Sequence, residues 1–196
     1  MIRNLLKLIH RLLGHLTSIR LMVCFSLRGL DGRVEQEGRL RLKVPLVCDG
    51  TGHVQIGSEV CVGYHLAAML GNGAVRLQAR GPHARILVGP GTQFSNNVQV
   101  FAENRVTIGA RCLIGDAVLI MDSDFHNLSP EGRHCETAAT APVVLEDNVF
   151  VGSRVIILKG VTIGKDSVIG AGSVVISSIP SGVIAAGNPA KVIRHL

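Results

Sequence analysis

Tryptophan is absent, tyrosine occurs once, and aromatic residues make up only 3% of the 196-residue chain. That excludes a core built on stacked rings and the aromatic platform on which single-stranded nucleic acid is held. Acids are missing from residues 1–30, which carry Arg3, Lys7, Arg11, Arg20 and Arg28. Without those five charges the formal +6 falls to +1, and no nucleic-acid motif is present, so no nucleic-acid partner is expected. The five cysteines, Cys24, Cys48, Cys61, Cys112 and Cys135, are odd in number, scattered, and form no CxxC. This argues against a disulfide framework or a zinc cluster and fits a reduced, cytoplasmic setting. No apolar run reaches the roughly 20 residues that a membrane-crossing helix needs. Lys7, His10 and Arg11 interrupt the N-terminus and also spoil a secretory leader.

What is abundant is glycine, 23 residues, within a composition that is 47% apolar. Such a chain builds its core from Val, Ile, Leu and Ala, and it turns often. Leu145, Val151, Ile157, Ile163, Ile169 and Val175 recur every six residues, and Gly152, Gly164 and Gly170 follow three of them. Four positions after each of the first five stands a small or β-branched residue: Val149, Val155, Val161, Ser167 and Ser173. The frame returns upstream at Ile56-Gly57, Val62-Gly63, Val88-Gly89, Ile108-Gly109 and Ile114-Gly115. A period of six does not keep one face of a 3.6-residue helix, but it is even and therefore suits strands. Each unit reads as a short strand and a turn, with the aliphatic and the i+4 residue inside. Stacked units make a parallel β-helix of the hexapeptide type.

The frame breaks in four places. Two residues are inserted around 101–105, residues 67–85 read irregularly, and the repeat stops after Ile176. The longest break is 121–144, with DSDFHNLSPEGRHCETAATAP at 122–142. Long loops in compact domains usually carry function. The expected division is a basic amphipathic helical segment at 1–30, the β-helix at 31–182 with its loop at 121–144, and a tail at 183–196. In the first segment Ile2, Leu5, Leu6, Ile9, Leu12, Leu13, Leu16, Ile19 and Val23 share a helical face. That segment is expected to pack on the protein or a neighbouring copy, or else to contact an anionic membrane through residues 1–20.

The repeat, with the ending IGAGSVVISSIPSGVIAAGNPAKVIR, resembles the hexapeptide-repeat acyltransferases over about residues 54–196. The DSDFH loop resembles that of the sugar and polysaccharide O-acetyltransferase branch. The resemblance implies an all-β, left-handed parallel β-helix, a homotrimer, and acetyl-CoA as co-substrate lying between two helices. It places the catalytic base on His126 and the donor side on Ser153, Ala171, Lys191 and Arg194. Ser153 would turn its backbone N–H to the thioester oxygen, Ala171 would line the pantetheine channel, and the two cations would meet the CoA phosphates or adenosine. Ser95, Asn97 and Glu103 match polar acceptor-side positions, and Asp124 joins them. Where the galactoside enzymes carry an acceptor-side Asn this chain has Ser95, so its acceptor need not be a galactoside.

Acetyl transfer to a hydroxyl needs a base, an oxyanion donor and two reactants held together. An imidazole suits the base role because it titrates near neutral pH. Asp122, Asp124 or a backbone carbonyl would hold its tautomer. Arg133, Asn127 and His134 share the loop, while Cys112 occupies an inward slot and reads as core. The fold also hosts zinc-dependent γ-class carbonic anhydrases, which use three histidines on neighbouring coils. His126 and His134 in one loop, with His53, His65 and His83 far upstream, do not fit that spacing, and no metal is expected. The expected function is O-acetylation of a saccharide hydroxyl. The alternatives are N-acetylation of a nucleotide-linked amino sugar and a non-catalytic scaffold.

Overall fold

The computed structural model describes residues 33–68, 70–134 and 137–196. The expected helical segment at 1–30 lies outside the described residues. The described chain is all strand and winds as a left-handed parallel β-helix. Each full coil contributes one strand to each of three faces. The coils are β1 (Val34–Gln36), β2 (Leu40–Leu42) and β3 (Leu46–Gly50); then β4 (His53–Ile56), β5 (Val60–Val62) and β6 (Val75–Ala79); then β7 (Arg85–Val88), β8 (Gln93–Phe94) and β9 (Gln99–Ala102). The next are β10 (Arg105–Ile108), β11 (Leu113–Ile114) and β12 (Leu119–Met121); β13 (Val143–Leu145), β14 (Phe150–Val151) and β15 (Ile156–Ile157); and β16 (Thr162–Ile163), β17 (Val168–Ile169) and β18 (Val174–Val175). The first face is β1-β4-β7-β10-β13-β16 and the third is β3-β6-β9-β12-β15-β18, each strand paired with those one coil away.

The six-residue frame is the register of this stack. Leu145, Val151, Ile157, Ile163, Ile169 and Val175 are fully buried, and so are Val149, Val155 and Val161. Ser167 and Ser173 occupy the same interior slots. They satisfy their hydroxyls by donating to Pro180 O at 2.7 Å and Gly170 O at 2.6 Å. The glycine after each aliphatic is set by crowding between coils. A Cβ at Gly152 would lie 2.6 Å from Ala171 N, and one at Gly109 would lie 2.7 Å from the Glu146 carbonyl carbon.

Two stretches differ from the expectation. Residues 67–85 contain β6 and the start of β7, both in register. The frame is lost there because the turn after β5 is long. Asn96, fully buried, holds that turn by accepting from Tyr64 N at 2.8 Å and donating to Tyr64 O at 3.1 Å. The coil also continues past Ile176. Ile179 bridges to Ile163 in parallel, and β19 (Val183–Gly187) lies parallel on β17. β20 (Ala190–His195) then folds back antiparallel on β19, so residues 183–196 end the second face as a hairpin. That face runs β2-β5-β8-β11-β14-β17-β19-β20. No helix among the described residues is long and apolar enough to cross a membrane.

Candidate active site

The loop of residues 122–142 leaves at the corner between the third face and the next coil's first face. Asp122 roots it. This carboxylate is fully buried and accepts from the Glu103 and Asn104 amides, each at 2.8 Å. It therefore fixes the two-residue insertion of the coil below and is committed to those amides. Ser123 bridges Thr140 in antiparallel fashion, Ala141 N donates to Asp122 O at 2.9 Å, and Asp124 N donates to Ala139 O at 3.2 Å. The loop thus has a zipped neck.

Above the neck, Ser123 Oγ donates to Glu103 Oε2 at 2.8 Å and accepts from Phe125 N at 3.0 Å. Phe125 has φ of 62°, a left-handed conformation that costs a side-chain-bearing residue energy. Its ring meets Phe101 edge-on at 6.0 Å, and the Arg80 guanidinium lies 4.1 Å from its centroid and 5.1 Å from that of Phe101. Arg80 Nε is itself held by Gln78 Oε1 at 2.7 Å. The residue before His126 is therefore clamped by a cation between two rings.

His126 is exposed, and its Nδ1 lies 3.3 Å from the Arg133 carbonyl oxygen. A carbonyl can only accept, so in the neutral ring this contact places the proton on Nδ1 and leaves the Nε2 lone pair free. Of the three groups open for that role, the backbone carbonyl is the one in contact. Asp124 instead pairs with Lys159 Nζ at 2.9 Å. Asn127 and Arg133 shape the tip: Asn127 Oδ1 accepts from Ser129 N at 2.8 Å, and Arg133 Nη2 donates to Leu128 O at 3.2 Å. His134 is exposed, while Cys135 lies outside the described residues.

The other expected residues stand elsewhere. Ser95 and Asn97 follow β8 at the corner between the second and third faces, where Ser153 follows β14 and Ala171 follows β17. Ser95 lines a groove of ≈ 380 Å³ with Lys43, Tyr64, Gln93 and Phe150. Asn97 lines another of ≈ 390 Å³, and its amide donates at 2.9 Å to both Ala68 O and Asp116 Oδ1. Ser153 and Ala171 are exposed along that corner, and Lys191 and Arg194 are exposed on β20 at the end of the second face. One chain therefore gathers His126, Asp124 and Glu103 at one corner and Ser95, Asn97, Ser153 and Ala171 at another. Arg80, Phe101, Lys159 and the Arg133 carbonyl carry no signal in the sequence, since each reaches the site only through coil stacking or loop folding. The interior slot of Cys112 is as expected. Burial pushes its thiol up from the ordinary range, Asp147 acts in the same direction, and its Sγ lies 3.2 Å from Glu146 O.

The family model described as bacterial transferase hexapeptide (six repeats) matches residues 142–177. The galactoside O-acetyltransferase of Escherichia coli (strain K12) is 41% identical over 100 residues, 51% of this chain and 49% of that one. The chain spans about half the length of the curated relatives it matches. A solved galactoside acetyltransferase in complex with coenzyme A has a TM-score of 0.52 at 29% identity, covering 83% of this chain and 64% of that one. A hexapeptide-repeat acetyltransferase from Vibrio cholerae O1 biovar eltor, complexed with acetyl coenzyme A, has a TM-score of 0.56 at 25% identity, covering 84% and 73%. In its six-residue repeat, over residues 142–177, and in its coil, the chain is similar to these hexapeptide-repeat acetyltransferases.

Proposed function

We propose that this chain is an acetyl-CoA-dependent O-acetyltransferase acting on a saccharide hydroxyl. The carrying observation is the exposed His126 whose Nδ1 faces a carbonyl, leaving Nε2 as a free base on a loop with a locked neck. Nε2 takes the proton of the acceptor hydroxyl, and the oxygen attacks the thioester carbonyl carbon of acetyl-CoA. The tetrahedral intermediate places its negative charge on the former carbonyl oxygen, where the Ser153 amide N–H serves as donor. Collapse breaks the carbon–sulfur bond. The imidazolium returns its proton to the leaving thiolate, giving the acetyl ester and CoA. No covalent enzyme intermediate is needed, because the thioester is already activated.

Donor-side and base-side residues occupy different corners of one coil, which supports a homotrimer in which one copy's loop reaches the donor corner of the next. The Glu103 and Asp124 carboxylates are engaged by Ser123 and Lys159. We assign them to holding the loop at the acceptor side. The test is thiol release from acetyl-CoA with pooled neutral sugars, acidic sugars, amino sugars and serine. Release with a sugar hydroxyl that disappears in His126→Ala supports the reading. Release only with an amino acceptor, or undiminished release by the variant, overturns it.

A further inference from the structure

Arg85 on β7 is the Cα partner of Arg105 on β10 and of His53 on β4. Arg33 continues the row, because it precedes Val34, the partner of Val54, and its carbonyl accepts the Val54 amide at 2.8 Å. Val54, Ile86 and Val106 point into the core, so their predecessors His53, Arg85 and Arg105 point out. Four basic side chains thus stand on successive rungs about 4.8 Å apart, a strip about 14 Å long. Like charges directly across a strand pair are destabilising. The Arg85 and Arg105 side chains are exposed and have no hydrogen-bond or ion-pair partner among the described residues.

Glu35, two residues from Arg33 on β1, is exposed, while four other acids near the strip are engaged. Asp122 is filled by two amides, Glu103 takes the Ser123 hydroxyl and faces Arg80 at 3.9 Å, Asp124 holds Lys159, and Asp49 faces Arg76 at 3.8 Å. The strip also ends at the candidate site. Asn104, the residue before Arg105, donates to the loop root Asp122, and Val106 pairs with Val143, the first strand residue after the loop.

We infer that this strip binds the acceptor, and that the acceptor is an oligosaccharide carrying one carboxylate on each sugar. Regular spacing is the reason. A sugar ring is about as long as one rung, so an extended acidic chain can offer one anion to each coil. CoA concentrates its phosphates at one end, and its expected cations Lys191 and Arg194 stand on a different face. As an acceptor track the strip rests on the acetyltransferase reading; as a binding site it does not.

The probe is fluorescently labelled hexagalacturonate, titrated against the full chain at low and at physiological salt beside neutral maltohexaose. The acidic chain should bind and the neutral one should not. The Arg85→Gln/Arg105→Gln double variant should bind at least about tenfold more weakly, the loss expected for removing charge-assisted contacts. Arg105→Lys should retain binding, and Arg111→Gln, at another corner, should match wild type. Thermal unfolding of the double variant should be unchanged or higher, because like-charge repulsion is relieved. Equal binding of both sugars, or an unaffected double variant, overturns the proposal. So does single-stranded DNA bound as tightly with the same loss, which would make the strip a general polyanion surface. A raised KM for acetyl-CoA in the double variant also overturns it, by giving the strip to the donor. Binding that behaves as expected without any acetyl transfer upholds the strip and refutes the enzymatic reading alone.

Discussion

Replacing Arg80 by Gln should slow acetyl transfer without weakening acetyl-CoA binding. The guanidinium lies 4.1 Å from the Phe125 centroid and 5.1 Å from that of Phe101, and Phe125 holds a left-handed backbone at φ 62°. An exposed cation–ring contact is worth about 0.5–1 kcal/mol, so two give about 1–2 kcal/mol. A side-chain-bearing residue in a sparsely populated conformation costs about 1–3 kcal/mol. The clamp is therefore comparable with the strain that it restrains. Without it Phe125 relaxes and carries His126 with it, because the two are adjacent. One to two kcal/mol corresponds to roughly a 5–30-fold change in population, and kcat should fall by that range. The Ser123 contact to Phe125 N remains, which favours the lower end. Arg80→Lys should lie between, since an ammonium lacks the planar face that stacks. Acetyl-CoA is varied at saturating acceptor, and the His126 ring signal is followed by NMR in the same samples. Full kcat in Arg80→Gln with an unmoved His126 signal refutes the clamp. A loss that only tracks loss of folded protein refutes it as well.

His126→Ala should lower kcat by about 10²–10⁴, the usual worth of a general base, with little change in the KM for acetyl-CoA. Chains carrying His126→Ala mixed with chains carrying Ser153→Trp should regain activity that neither has alone, since a mixed trimer pairs an intact loop with an intact donor corner. Monomer alone in light scattering, or no recovery, rejects the shared site. Lys191→Ala/Arg194→Ala should raise the KM for acetyl-CoA more at low salt than at high salt, and an unchanged KM at both removes these residues from the donor site. The raised thiol of Cys112 gives stability that is complete below the ordinary thiol range and lost as pH rises toward its folded value. Thermal unfolding should therefore drop more steeply with alkaline pH in wild type than in Cys112→Ala; parallel slopes count against it.

The coil was legible because its cause is local. A parallel stack repeats one constraint at each turn, so Leu145 through Val175 announce the interior at a fixed interval. Legibility ended where chain length between equivalent positions changed. The long turn after β5, pinned by Asn96 across a coil, shifts the frame and hides β6 and the start of β7. The last partial coil was hidden differently: Ile179 and β19 keep the stack but not the six-residue step. The candidate base was visible in DSDFH, whereas what positions it was not. Arg80 and Phe101 come from earlier coils, and the Arg133 carbonyl is a backbone group with no residue signature.

The basic strip shows the same limit for charge. Outside residues 1–30 the formal charge is only +1, which argued against a nucleic-acid partner. A sum over sequence, however, assumes that charges mix in space. Here Arg33, His53, Arg85 and Arg105 are separated by unequal lengths of chain, because one coil carries the turn held by Asn96, yet the pairing register places them on successive rungs. Asp122 accepts from two amides and Asp124 pairs with Lys159, so neither carboxylate bonds the strip. The field at a surface is set by charges within about a Debye length, about 8 Å at physiological salt. On that scale the strip sets Arg85 and Arg105 side by side while the whole coil is nearly neutral. An anion would therefore be drawn to the foot of the His126 loop rather than to the coil at large, the one place where a hydroxyl on that anion meets the candidate base.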